Sequence, residues 1–199
     1  MTGRRERPRV RDIVRPMLRR GLLALAGLTL CFPVLAKQKP APPLVSLHQH
    51  PSGAFTFRTP EDWKVEPLAS DAQALQAMGD GVIVRFIYRS GDVGYDTLHV
   101  DCMMQRLAGP FEVSPEIKYE YDFLSGVVGE MRILDSAFVT TYDDPIQGER
   151  EWRQRNLTIT GAGHSLCAIS YVPVKLWKKS KPMRELVDNV VKSVEFAPR

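Results

Sequence analysis

Apolar and polar positions change period several times along this chain, and each change marks an element. The clearest stretch is the last. From residue 163 to 196 the chain passes through Leu166-Cys167-Ala168-Ile169-Ser170-Tyr171-Val172, meets Pro173, crosses a basic bridge and enters a one-faced helix. In that helix Met183, Leu186, Val187, Val190, Val191 and Val194 fall at i, i+3, i+4, i+7, i+8 and i+11. That is the 3.6-residue period of one buried stripe. Ser180 stands at the N-cap and Pro182 in the first turn, where a missing N–H matters least. An apolar strand feeds an amphipathic helix, and the preceding residues must supply the sheet it covers.

Upstream, Ala54-Phe55-Thr56-Phe57-Arg58 alternates, Thr59-Pro60-Glu61-Asp62 turns, and Trp63-Lys64-Val65 alternates again, which predicts two short strands. Residues 70–78, with Ala72, Leu75, Ala77 and Met78, predict a short helix stopped by Gly79-Asp80-Gly81. Residues 82–88 and 97–107 read as strands around Gly91-Asp92-Val93-Gly94. Ser114-Pro115-Glu116 has the form of a helix start, and that helix carries Ile117, Tyr121 and Leu124 as far as Gly126. Residues 130–142 and 150–160 predict a hairpin around Asp143-Asp144-Pro145-Ile146-Gln147-Gly148. In its second arm Trp152, Gln154, Asn156, Thr158 and Thr160 share one face, and Arg153, Arg155, Leu157 and Ile159 the other. The pattern does not say which face is inside. Short connections imply a mainly antiparallel sheet, and the class is α+β.

The N-terminus changes the bulk numbers. Residues 1–20 hold eight arginines, and residues 21–36 are uncharged, apolar and closed by Val34-Leu35-Ala36. This is the form of a secretory signal peptide of bacterial type, residues 1–36, with cleavage expected after Ala36. Its 16-residue apolar run is shorter than the roughly 20 residues that span a bilayer core, so no stable membrane span is expected after cleavage. An uncleaved inner-membrane anchor is the alternative. Lipidation at Cys31 and twin-arginine export through Arg19-Arg20 are weaker matches, because Leu30 and Leu18 stand where a small residue and a Ser or Thr belong. The signal takes eight of the 27 Lys+Arg and two of the 23 Asp+Glu. The +4 net charge then becomes 19 cations against 21 anions, or −2. Nucleic-acid binding loses its electrostatic support. Residues 37–52, with Pro40, Pro42, Pro43 and Pro51, read as a Pro-rich tether, and residues 53–199 as one domain. The expected location is the periplasm or the outside of the cell. Cys102 and Cys167 would meet an oxidising compartment there, where a disulfide can form; two separate buried thiols are the alternative.

The opening strands, Phe55 to Val65, and the closing Leu166 to Tyr171, amphipathic helix and Ser193-Val194-Glu195-Phe196 tail resemble the Mog1/PsbP-like fold. That resemblance implies an α/β/α sandwich around a mainly antiparallel sheet with an amphipathic C-terminal helix. It also implies mostly non-catalytic proteins that bind other proteins, and it supplies no site residues.

Candidate chemistry is sparse. Gly163-His164-Ser165-Leu166-Cys167 begins like a nucleophile elbow, but the elbow needs a helix after the serine and a strand-like run follows. A serine hydrolase using Ser165 and His164 is thus a minor alternative, and no catalytic residue is assigned. His48 and His50 lack companion ligands, as do His99 and Asp101, which would share one strand face; no metal or cofactor is expected. The Asn156-Leu157-Thr158 sequon is discounted in a bacterial chain. The basic bridge, Lys175, Trp177, Lys178, Lys179 and Lys181, is the candidate partner surface, for an acidic partner or lipid headgroups. Trp177 packing over the end of the sheet, with the lysines in water, is the plainer reading. The sequence therefore points to an exported, non-catalytic domain that binds another envelope protein. A small-ligand carrier with a pocket between helix and sheet is the alternative.

Overall fold

The computed structural model describes residues 40–68, 71–105, 112–144 and 148–198; the signal segment lies outside the described residues. Seven antiparallel strands form the main sheet in the order β3-β4-β5-β9-β8-β7-β6. They are β3 (Lys64–Leu68), β4 (Asp71–Gly79), β5 (Val82–Ser90), β6 (Glu112–Val128), β7 (Met131–Asp144), β8 (Gly148–Gly161) and β9 (His164–Pro173). A small three-stranded sheet pairs β1 (Ser46–Gln49) and β10 (Glu195–Phe196) on either side of β2 (Phe55–Thr59). The helices are α1 (Tyr95–Met104), α2 (Val174–Lys179) and α3 (Lys181–Lys192). The class is α+β, as the sequence predicts.

The helix α3 buries Leu186, Val187, Val190 and Val191 in one cluster with Phe55, Phe57, Val84, Phe86, Leu166 and Ala168. Each such side chain contributes roughly 1.5–3 kcal/mol, so this stripe is a main anchor of the fold. Ser180 Oγ accepts the Met183 N–H at 3.2 Å and caps the helix, as its position predicts. On the opposite face α1 sets Leu98 and Cys102 against Ile87, Cys167, Ile169 and Tyr171. Both faces are thus covered, which explains why β9 is buried along almost its whole length.

Four local expectations give way. Residues 71–79 are strand β4 and not a helix. Their Ala and Leu positions favour helix weakly, but Ala74, Leu75 and Ala77 are all buried, on both faces of the sheet, and tertiary burial outweighs a few tenths of a kcal/mol of propensity. Asp80 and Gly81 both take positive φ, 53° and 75°, the two-residue turn that closes a hairpin. Gly79 is required beside it, because a Cβ there would run into the Trp63 indole. Residues 95–104 are helix α1 and not a strand, so His99 and Asp101 do not share a face: His99 is buried and Asp101 exposed. Glu112–Val128 is strand β6, not a helix. Its register with β7 breaks between Val113 and Ile117, so Pro115, which lacks an N–H, falls where no ladder bond is needed. Finally, the expected tether contains β1, hydrogen-bonded to β2 from Ser46↔Thr59 to Gln49↔Thr56. The hairpin of β7 and β8 forms as expected, and the Gln154, Asn156, Thr158 face is buried.

Candidate functional site

Pro173 ends the β9 ladder, and the next six residues wind into α2. Val174 is buried, while Lys175, Lys178 and Lys179 are exposed; their i, i+3, i+4 spacing places them on one helix face. Trp177 is half-buried and packs against the core beneath α3. The Arg153 guanidinium stacks on its ring, 4.1 Å from the centroid, and Arg184 Nη1 donates to the Trp177 carbonyl at 2.6 Å. Lys181, in the first turn of α3, lies 3.5 Å from Glu185. The structure thus brings Lys175, Lys178 and Lys179 together as a solvated ridge and sets Trp177 beneath them as an anchor. Beside the ridge, Arg150, Glu151, Trp152, Pro173 and Lys175 line an open cleft of about 450 Å³.

Ser165 and His164 project to opposite faces, as neighbours on a strand must. Ser165 is fully buried; its Oγ donates to the Gly91 carbonyl at 2.7 Å and accepts the Val93 N–H at 2.9 Å. His164 Nδ1 lies 3.0 Å from the Tyr88 hydroxyl, and its ring stacks on Phe196. The other histidines also serve the fold. His48 Nε2 is 2.8 Å from Thr59 Oγ1, and His50 Nδ1 is 2.7 Å from Ser52 Oγ. Burial lowers both below the ordinary imidazole range. Among the described residues no group of three or more His, Cys, Asp or Glu could hold a metal ion.

A disulfide joins Cys102 to Cys167, with Cα atoms 6.1 Å apart. One turn before Cys102 on α1, His99 Nδ1 lies 2.8 Å from Thr158 Oγ1 and Nε2 2.9 Å from Ser136 Oγ. Burial holds its pKa down, against the attraction of Asp135 and Asp96. Asn156 Nδ2 donates to the same Ser136 hydroxyl at 3.3 Å, and Gln154 Nε2 to Asn156 at 2.8 Å. Sequence reasoning missed this cluster; the signal was His99 three residues before a cysteine that bonds to the sheet. It also missed Arg155, which holds Asp135 on β7 and Asp188 on α3, both at 2.6 Å. Hydrogen bonds that it donates to the Asp135 carboxylate hold this guanidinium's pKa above its already high value.

No family model and no curated protein matches the sequence. Solved structures do match in shape. Cyanobacterial PsbP (CyanoP) from Synechocystis superposes with a TM-score of 0.51 at 8% identity, over 77% of this chain and 93% of that one. The fold is Mog1/PsbP-like. A protein of Bacteroides thetaiotaomicron gives the same TM-score, 0.51, at 12% identity over 79% of this chain; the match spans half of that longer protein. The Ran-binding protein Mog1p of Saccharomyces cerevisiae superposes at 0.44, with 9% identity over 77% of this chain and 96% of its own. At these identities the likeness is one of fold. Among the described residues no helix is long and apolar enough to cross a membrane. The interface between α3 and the sheet, where the carrier alternative would place its pocket, is occupied by Leu186, Val187 and Val190, each at most 1% exposed.

Proposed function

We propose that this is an exported, non-catalytic domain that works in the bacterial cell envelope by binding another protein. One observation carries the reading: the reactive side chains that the sequence singles out are committed to the fold. Ser165 is held between Gly91 and Val93, His164 against Tyr88, and His99 between Ser136 and Thr158. The cationic side chains of α2 are left facing solvent on a rigid mount. Export is supported by the Cys102–Cys167 disulfide, which suits an oxidising compartment, and by the basic and apolar N-terminal segment. The Mog1/PsbP-like fold adds the resemblance's expectation of protein binding.

The test is affinity capture from the native envelope fraction after mild crosslinking, alongside ester and peptide turnover with the same purified protein. A specific crosslinked partner with no turnover is the expected result. Turnover that disappears in Ser165→Ala, with no partner captured, would overturn the proposal.

A further inference from the structure

We propose that the cleft lined by Arg150, Trp152, Pro173 and Lys175, continued by the lysine ridge of α2, is the docking site for an extended acidic segment of a partner protein. This rests on the protein-binding reading and specifies its chemistry. Lys175 belongs to both the cleft and the ridge, so the two form one surface. The cations are uncompensated: neither Arg150, Lys175, Lys178 nor Lys179 has an ion pair or hydrogen-bonded acceptor among the described residues. From Val174 through Arg184 there are five cations and no carboxylate, in a chain that is net negative once residues 1–36 are set aside. Four residues of helix separate Lys175 from Lys179, about 6 Å along the axis. Alternate residues of an extended peptide are about 7 Å apart. A Glu-x-Glu pattern in strand conformation therefore matches the ridge, while Trp152 and Pro173 give the cleft an apolar wall for the intervening side chain.

Other polyanions fit less well. A nucleic-acid site can use 6–10 phosphate contacts, whereas the described residues of this surface offer four free cations with Glu151 among them. A lipid surface calls for apolar side chains next to the basic ones. Among the described residues the large exposed apolar side chains, Val45, Leu47, Val100, Met104, Tyr119, Leu124, Val127 and Val128, include none on β8, β9 or α2.

The experiment is fluorescence anisotropy of a fluorescein-labelled (Glu-Ser)4 peptide titrated with the purified protein at increasing salt. Binding should weaken as salt rises. The Arg150→Glu/Lys175→Glu variant should bind about tenfold more weakly, as expected when exposed attractive charges become repulsive. Glu151→Gln should bind about two- to threefold more tightly, a gain that a merely structural residue would not produce. Matching melting temperatures confirm that all variants are folded. No binding up to millimolar peptide, or affinity unchanged in both variants, overturns the inference. So does stronger binding to phosphatidylglycerol vesicles or to a single-stranded 20-mer DNA than to the peptide. An envelope partner captured equally by wild type and by the Arg150→Glu/Lys175→Glu variant removes this site and leaves the protein-binding reading intact.

Discussion

Breaking the Cys102–Cys167 bridge is the perturbation whose size the structure sets most directly. The two cysteines are 65 residues apart in sequence, and closing a loop of that length in the unfolded chain removes entropy equivalent to about 4 kcal/mol at 25 °C. Both cysteines are buried, Cys102 at 1% and Cys167 at 0% exposure, so the bridge lies inside the core. The assay is equilibrium urea unfolding followed by tryptophan fluorescence, comparing the native protein with the same protein under a phosphine reductant and with Cys102→Ala/Cys167→Ala. With a slope of roughly 2 kcal/mol per M, the midpoint should fall by about 2 M. The loss should also have a place. The buried side chains of α1 are Leu98, His99 and Cys102, so its amides should exchange before those of α3. The chain processed after Ala36, which no longer carries Cys31, should take up no alkylating reagent after denaturation until it is reduced. A midpoint shift under about 0.5 M, or thiols that alkylate without reductant, would refute the reasoning.

Arg155→Ala should destabilise by about 2–3 kcal/mol, because it leaves Asp135 without its cation; the partly exposed side chains, 24% and 13%, place this below a fully buried pair. Urea unfolding with Asp135→Asn and the double variant measures it, and a coupling under about 0.5 kcal/mol contradicts the network. His99 is held neutral by burial, its pKa below the ordinary value of 6.5. The unfolded chain therefore takes up the proton first as pH falls. Stability should be full above pH 6.5 and decline below it, and His99→Gln should reduce the slope of unfolding free energy against pH between 6.5 and 5. Gly79→Ala should cost about 1–3 kcal/mol by driving a methyl group into the Trp63 indole, read as a fall in melting temperature. Ser180→Ala should cost about 1 kcal/mol by removing the cap on Met183 N–H, with the slope of urea unfolding unchanged.

The closing strand and α3 were legible in the sequence because their signals are local and agree with their burial. The six-residue apolar stripe, the Ser180 cap and the Pro173 break each act within a turn or two, and the sheet's inner strand is apolar throughout. The hairpin of β7 and β8 was legible for the same reason. The charge ridge on α2 could be listed from the sequence, as Lys175, Lys178 and Lys179, but its junction with Arg150 depends on β8 lying beside β9, from Trp152↔Pro173 onward.

Where long-range contacts set the conformation, local pattern pointed elsewhere. Residues 71–79 carry helix-favouring side chains yet form a strand, because β3 and β5 pair with both of its edges. Tyr95–Met104 has no amphipathic stripe of its own; it is a helix held by a bridge to β9 and by His99 between two hydroxyls of the sheet. Glu112–Val128 begins with a helix-start signature and is a strand because β7 offers a partner and a register break takes Pro115 out of the ladder. By itself the sequence determined the class and the final strand–helix unit. Only the tertiary structure decided that Cys102 meets Cys167 and that Arg150 joins the lysines of α2 on one surface, because each is a matter of distance between residues far apart in the chain.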